Sequence, residues 1–255
     1  MTKPAIQETS DSIIDLKEMT DARVSLGRFG AGLPTRAAQA FLLDHARARE
    51  AVWSMVDRKD LAERLSRLGF ESVSVESRAQ DRSIYVRRPD LGRQLSDASQ
   101  ERLKTLAGTA GTPDIAIIVA DGLSSSAVDM NAVRLIEELG ARFGAKGLKI
   151  GPIVLAEQAR VALGDPAAEA LGARLSIVLV GERPGLSAAD SLGAYITYAP
   201  KSGTPDSKRN CVSNIRDGGL SIGEAADTIA DLVTDIFKVA ISGVALKDAL
   251  VQLEG

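Results

Sequence analysis

Glu182 and Arg183 are adjacent opposite charges that follow an apolar run, in the segment LSIVLVGERPGLSAADS at residues 175–191. The run predicts a strand that is buried on both faces. Because Pro184 and Gly185 follow directly, a helix cannot continue from the strand, and the charged pair is expected on a rigid turn. Ligands bind beyond the carboxyl ends of the strands in open α/β sheets, so this pair could contact a ligand. The alternative is a solvated ion pair in a connecting loop.

A second strand end carries Asp121 and Gly122, which follow the apolar run IAIIVA at residues 115–120. No phosphate-binding motif accompanies either strand end. The P-loop pattern G-x-x-x-x-G-K-[ST] is absent, and the segment GRFGAG at residues 27–32 has the wrong spacing for a dinucleotide fingerprint and no strand before it. The sequence therefore argues against a P-loop nucleotidase and against dinucleotide binding.

Nucleophilic and metal-dependent chemistry find little support in the side chains. His45 and Cys211 are the lone histidine and cysteine, so a zinc site would have to consist mostly of carboxylates. A Ser-His-Asp site could use only His45, which we interpret as a structural or interface residue, and no G-x-S-x-G motif is present. Cys211 lies in a predicted polar loop whose nearby cations could lower its pKa, but no general base is close in sequence. The chain is therefore short of a catalytic apparatus of its own.

Composition limits the partners and the compartment. A net charge of −3 and a pI of about 5.4 give no basic surface for nucleic acid. No apolar segment approaches the roughly 20 residues that span a bilayer, and the N-terminus lacks the pattern of a secretion signal. One cysteine excludes an intrachain disulfide and suits a reducing compartment. We therefore predict a cytoplasmic protein with no nucleic-acid or membrane partner.

Strand and helix patterns alternate from Phe70 onward. Strands are predicted at Val73 to Val75 and at residues 115–120, 150–156, 175–180 and 194–199. Helices are predicted at residues 127–143, from Asp165 and Pro166 to Gly172, and from a capping box of Ser221 and Glu224 to about Val239. This order is typical of an α/β fold with a mainly parallel, Rossmann-like sheet and helices on both faces.

Two segments precede the predicted sheet. Residues 19–65 combine a glycine-rich entry with helical periodicity, which predicts a small helical domain before an α/β domain at residues 66–255. Residues 1–18 are polar apart from an apolar cluster at residues 13–16, which predicts a flexible terminus. The alternative is a short amphipathic helix that acts as a compartment address and orders only on a partner surface.

Seven stretches of the chain carry a specific resemblance. They are LPTRAAQAFLLDHARAREAV, YVRRPDLGRQL, DIAIIVADGLSSSAV, GPIVLAEQARVALGD, LGARLSIVLVGERPGLSAADSLGAYITYAP, RNCVSNIRDGGLS and ISGVALKD. The resemblance extends from about residue 21 to residue 248. Together they resemble the small (light) subunit of ethanolamine ammonia-lyase. Several of the blocks are long, and all occur in the order expected for that family.

The resemblance implies an activity, a cofactor and a partner. Members of that family work with a large (heavy) barrel subunit, in a higher hetero-oligomer, to convert ethanolamine to acetaldehyde and ammonia with adenosylcobalamin by a radical mechanism. The large subunit holds the substrate, and the small subunit closes over the cobalamin. By resemblance, Val161, Glu182 and Cys211 contact the cobalamin, and this chain supplies neither a catalytic residue nor a cobalt ligand. The isolated chain is then expected to be inactive.

Some relatives enter a bacterial microcompartment, so the resemblance implies that lumen as the location where the organism makes one. Two functions of other classes stay open beside the resemblance. One is a self-sufficient α/β enzyme that binds a small ligand at the strand ends, and the other is a non-catalytic scaffold module.

Overall fold

The computed structural model describes Arg23, Leu26, Gly27 and residues 31–254. The predictions for residues 1–18, a flexible terminus or an address helix, lie outside the described residues. Contacts along the chain define two compact units, residues 1–46 and 47–255. Helix α1, Thr35–Trp53, begins in the first unit and ends in the second.

The second unit alternates strands with helices, as the sequence predicted, and the α/β class is confirmed. Its strands are β1 (Ser72–Glu76), β2 (Ile115–Ala120), β3 (Ile153–Glu157), β4 (Leu175–Gly181), β5 (Leu192–Tyr198) and β6 (Arg209–Ile215). Its further helices are α2 (Arg58–Arg67), α3 (Arg82–Arg87), α4 (Asp97–Ala110), α5 (Ser125–Ala145), α6 (Gly164–Ala170), α7 (Ile222–Val239) and α8 (Leu246–Glu254). Short 3-10 turns lie at Leu91–Arg93, Val161–Leu163, Asp206–Lys208 and Gly243–Ala245.

The strands form one sheet in the order β1-β3-β2-β4-β5-β6. Strands β1, β3, β2 and β4 pair in parallel, whereas β5 is antiparallel to β4 and β6 is antiparallel to β5. The prediction of a mainly parallel sheet is therefore corrected to a mixed sheet. A parallel connection needs roughly a dozen residues or more, usually with a helix. The segments 182–191 and 199–208 contain no α-helix and are too short for that crossover, so the chain returns in the opposite direction.

The middle of the sheet is covered on both sides. Strands β2 and β4 are buried along their whole length, which accounts for their continuous apolar sequences. The apolar side chains of one face pack with those of α2, α5 and α7, and the side chains of the other face pack with those of α4 and α6. No helix in the described part of the chain is both long and apolar enough to cross a membrane.

Strand β6 is the clearest difference from the sequence prediction, which made this segment a polar loop. Its buried residues are Arg209, Val212 and Ile215. They recur every third residue, so the alternation that predicts a strand is absent. Hydrogen bonding to β5 makes the segment a strand, and a register shift between Leu192 and Ala194 accommodates the irregular pattern. Cys211 therefore lies in a strand and not in a loop.

The predicted helix that begins at the capping box of Ser221 and Glu224 is confirmed as α7. Ser221 caps the helix by accepting a hydrogen bond from the backbone of Glu224, and the carboxylate of Glu224 accepts one in return from the Ser221 backbone. The helix ends at Val239, as predicted. The short helices α3 and α8 were not predicted from the sequence.

Candidate functional site

Val161 and Cys211, two of the residues that the resemblance implies, line one cavity of about 380 Å³. Val161 begins the 3-10 turn that follows β3, and Cys211 lies in β6. The turn after β3 thus faces the antiparallel strands across the cavity. The remaining lining residues are Pro89, Arg93, Arg160, Ala162, Tyr195, Asp206 and Arg209.

A larger cleft of about 820 Å³ adjoins this cavity. The two spaces share four lining residues, Pro89, Arg93, Ala162 and Asp206. The walls of the larger cleft are partly apolar and partly polar, and they carry both carboxylates and guanidinium groups. Together the two spaces offer far more room than a small amino alcohol would fill, and they suit a large ligand.

Cys211 faces Tyr195, its direct partner in the register of β6 with β5. Desolvation raises the pKa of the Cys211 thiol, a hydrogen bond with Tyr195 opposes that rise, and the charge of Glu182 adds to it. The expectation that nearby cations lower this pKa is therefore wrong. Desolvation also raises the pKa of Tyr195, to which Cys211 and Glu182 contribute. Both groups are neutral near pH 7, so neither is poised as a nucleophile or a base.

Glu182 directly follows β4, as the sequence predicted, and its carboxylate bends back over the start of β5. Its Oε2 accepts hydrogen bonds from the Ser191 hydroxyl at 2.6 Å and from the Asn214 backbone N–H at 3.3 Å. Among the described residues, Oε1 accepts no hydrogen bond, and Arg183 makes no ion pair with Glu182. The interpretation of this pair as a solvated salt bridge is therefore not what the structure contains.

The Glu182 carboxylate occupies space that a side chain at position 193 would need, and Gly193 leaves this space open. A Cβ atom at Gly193 would lie 2.9 Å from Glu182 Oε1, closer than such contacts normally are. The carboxylate thus lies against the β5 backbone two residues before Tyr195. Glu182 does not itself line the 380 Å³ cavity, but its charge acts on both Tyr195 and Cys211 in the cavity wall.

A buried ion pair fixes one wall of the cavity, and sequence reasoning missed it. The Arg209 guanidinium donates two hydrogen bonds to the Asp165 carboxylate, each of 2.7 Å. Both side chains are almost fully buried. Asp165 was interpreted only as the start of a helix, and a separation of 44 positions in the sequence leaves no local signal for the pair.

Asp121, the other candidate at a strand end, is buried at 6% exposure and has no side-chain oxygen free for a ligand.

The first unit holds His45, whose ring stacks on Phe41 with the ring centroids 6.2 Å apart. Across the described residues, no group of three or more His, Cys, Asp and Glu side chains could hold a metal ion. The cavity between the turn after β3 and strands β5 and β6 is therefore the best candidate site.

The cavity wall is chemically mixed. Val161 offers an apolar surface, and the Cys211 thiol and the Tyr195 ring are neutral and polarizable. Arg160 carries a buried Nε that has no hydrogen-bond partner among the described residues. Such a wall suits the flat face of a large neutral ligand that carries hydrogen-bonding groups at its edge.

Known proteins resemble this chain over nearly its whole length. The family model of the ethanolamine ammonia-lyase light chain (EutC) matches residues 10–247. The ethanolamine ammonia-lyase small subunit of Rhodopseudomonas palustris (strain BisA53) is 49% identical over 248 residues, which cover 97% of this chain and 94% of that protein. The protein of the same name from Bradyrhizobium diazoefficiens is 49% identical over 250 residues, with 97% and 94% covered.

A third relative gives the same result. The ethanolamine ammonia-lyase small subunit of Xanthomonas campestris pv. campestris is 47% identical over 239 residues, which cover 93% of this chain and 88% of that protein. For these relatives, the words "small subunit" imply a larger partner in the enzyme. The resemblance of the seven sequence blocks is thus confirmed by matches that cover nearly the whole chain. The chain belongs to the ethanolamine ammonia-lyase light-chain family.

Proposed function

We propose that this chain is the small subunit of an adenosylcobalamin-dependent ethanolamine ammonia-lyase and forms one wall of the cobalamin site. The cavity that joins Val161 and Cys211, with Glu182 beside it, carries this proposal. The large subunit supplies the opposite wall and the ethanolamine pocket, and the two chains assemble into a higher hetero-oligomer. Together they convert ethanolamine to acetaldehyde and ammonia.

The residues in and beside the cavity suit the neutral amide groups of a corrin ring. Corrin carries neutral amide side chains, which need donors and acceptors at the edge of an apolar face. The free Oε1 of Glu182 is such an acceptor, and a carboxylate acceptor strengthens an amide hydrogen bond. Val161 and Cys211 would lie against the ring, and the guanidinium group of Arg160 would offer a donor at its edge.

The division of labour follows from the same wall. Adenosylcobalamin supplies the radical chemistry when it is bound. Tyr195 and Cys211 keep their protons near neutral pH because desolvation raises both pKa values. The chain's own part is therefore to place the cofactor and to exclude water from it.

Two alternatives are a self-sufficient enzyme and a scaffold module. Tyr195 and Cys211 are neutral, and Asp206, the one carboxylate among the lining residues of the cavity, accepts a hydrogen bond from Arg209 Nε at 3.2 Å. These states disfavour the first alternative, because no lining residue is then free to act as a base. We place the activity in the cytoplasm, or in the lumen of a bacterial microcompartment where the host makes one.

The isolated chain is predicted to be inactive, because the cavity is one wall of a site that needs two. Ethanolamine deamination by the purified chain, by the large subunit and by their mixture checks this directly. Activity is expected only in the mixture with adenosylcobalamin. Turnover by the chain alone would support the self-sufficient enzyme instead, and a mixture as inactive as its parts would support the scaffold.

Glu182→Ala is predicted to weaken cobalamin binding by the assembled complex by roughly 1–3 kcal/mol, the usual cost of a lost charge-assisted hydrogen bond. The KM for ethanolamine should change little, because the substrate lies on the large subunit. Titration of the complex with adenosylcobalamin measures the first quantity, and steady-state kinetics at saturating cofactor measures the second.

Glu224→Ala is the matched control for this substitution. Glu224 Oε2 also accepts from a serine hydroxyl at 2.6 Å and from a backbone N–H at 3.2 Å, but it does so in the capping box of α7. The control should lower thermal stability and leave cofactor affinity unchanged. Equal cofactor affinity of the Glu182→Ala complex and the wild-type complex would refute the role given to Glu182.

Cys211 is predicted to contact the cofactor without reacting. Cys211→Ser should keep most of the activity, whereas Cys211→Trp should fold but lose cobalamin binding because the indole fills the cavity. In the free chain, alkylation of this thiol should be slow at neutral pH and should accelerate only above the usual thiol range, since its pKa is raised. A serine variant that binds cobalamin but has no activity would show that the thiol has a chemical role.

A further inference from the structure

The Asp121 carboxylate accepts hydrogen bonds from the backbone of the turn that leads to Val161. Its Oδ1 accepts from the backbone N–H of Ala159 at 2.8 Å and of Gly122 at 3.0 Å. Its Oδ2 accepts from the backbone N–H of Gln158 at 2.9 Å and from Arg82 Nη1 at 3.2 Å. Two consecutive N–H groups of the turn are therefore held by one buried carboxylate at the end of β2.

The turn needs this support because its backbone is in an unfavourable conformation. Gln158 has φ of 51°, in the left-handed region that side chains other than glycine seldom adopt. Its side-chain Oε1 also accepts from Arg82 Nη1, at 3.4 Å, so the guanidinium links the side chain of the turn to Asp121. Without the carboxylate, the backbone N–H of the strained residue would lose its acceptor, and only the long contact from Arg82 to its side chain would remain.

A second set of contacts holds the opposite edge of the same turn. The Tyr85 hydroxyl donates to the Ala159 carbonyl at 3.1 Å, and the Arg160 N–H donates to the Gly92 carbonyl at 2.8 Å. The Arg160 guanidinium carbon lies 4.3 Å from the centroid of the Tyr85 ring. A side chain at Gly92 would meet both Tyr85 and Arg160. Val161 is the next residue along the chain and enters the cavity from this anchored position.

We infer that Asp121 is a positioning residue for the cofactor site, which fixes Val161 and Arg160 at the cavity through the backbone of Gln158 and Ala159. Asp121 touches no ligand itself, since both its oxygens are occupied inside the chain. Tyr85 is its counterpart on the other side of the turn. This inference rests on the proposed function, because it assigns a role relative to the cobalamin that Val161 contacts.

Asp121→Asn tests the inference in the assembled complex. Asparagine keeps the shape of the side chain but turns one acceptor into a donor, which then opposes a backbone N–H or the Arg82 guanidinium. The Kd for adenosylcobalamin is expected to rise about tenfold, the effect of losing roughly one charge-assisted hydrogen bond. At saturating cofactor, kcat and the KM for ethanolamine should stay near the wild-type values, because the reacting atoms do not contact this turn.

A second variant guards against a failure of Asp121→Asn to fold. Tyr85→Phe removes only the hydroxyl that holds the Ala159 carbonyl and keeps the buried ring. It should also raise the Kd for adenosylcobalamin, by a smaller factor than Asp121→Asn. If Asp121→Asn does not fold, an unchanged Kd of the Tyr85→Phe complex overturns the inference, and a raised Kd supports it.

Asp114→Asn is the matched control at the other end of β2. Asp114 also accepts from a backbone N–H, that of Lys149 at 3.0 Å, and from a guanidinium, that of Arg174 at 3.0 Å. It is far from the cavity along the strand and should lower the unfolding temperature without changing cofactor affinity. An equal rise in Kd for Asp114→Asn and Asp121→Asn would make the effect one of general stability and overturn the positioning role.

A bulky Val161→Trp variant separates this inference from the proposed function. If Val161→Trp abolishes cobalamin binding while Asp121→Asn and Tyr85→Phe bind normally, the proposed function stands and the positioning role falls. If wild-type complex binds no cobalamin, or Val161→Trp binds it as well as wild type, the proposed cofactor wall falls first. Raised Kd values for all three variants, with a normal Asp114→Asn, support both.

Discussion

The carboxyl ends of β2 and β4 meet so closely that only glycine fits between them, and the site depends on this contact. A Cβ atom at Gly122 would lie 2.1 Å from the carbonyl oxygen of Gly181, and one at Gly181 would lie 2.0 Å from that of Ser124. The Leu123 N–H donates to the Gly181 carbonyl at 2.8 Å and closes the contact. Any side chain at either glycine would separate the strand ends.

This contact fixes the backbone positions of two residues, Asp121 and Glu182, whose carboxylates have different roles. Asp121 precedes Gly122 and turns inward, where backbone N–H groups and Arg82 occupy both its oxygens. Glu182 follows Gly181 and turns over Gly193, where one oxygen is left without a partner among the described residues. The buried carboxylate therefore acts on the fold of the turn, and the partly exposed one is available to a ligand.

Besides the pair of Asp121 and Arg82, a buried ion pair between Arg209 and Asp165 stabilises the antiparallel side of the site. Arg209 lies in β6 and Asp165 in α6, and their two hydrogen bonds join the edge strand to a helix on the sheet face. Removal of one partner would leave an uncompensated buried charge, which is far more costly than the pair is stabilising. Strand β6, with few apolar residues of its own, is held in place by this pair and by β5.

Strands whose burial leaves a local sequence pattern could be predicted from the sequence. Elements that depend on contacts between distant residues could not. Strands β2 and β4 were predicted because burial on both faces requires continuous apolar residues. Strand β6 was not, since only pairing with β5 distinguishes it from a polar loop. Glu182 was found from its place after an apolar strand, whereas Val161 and Cys211 came from the family resemblance alone. Tyr195 was missed, because nothing in AYITYA marks which side chain faces a cavity.

The central claim is that the turn after β3 and the strands β5 and β6 form the small-subunit wall of the cobalamin site. A structure of the reconstituted complex with adenosylcobalamin, determined by electron cryomicroscopy, tests this most directly. We expect the corrin ring against Val161 and Cys211, with an amide nitrogen of its side chains within hydrogen-bond distance of Glu182 Oε1. A corrin ring bound elsewhere, with the Val161 and Cys211 side chains in solvent, would contradict it.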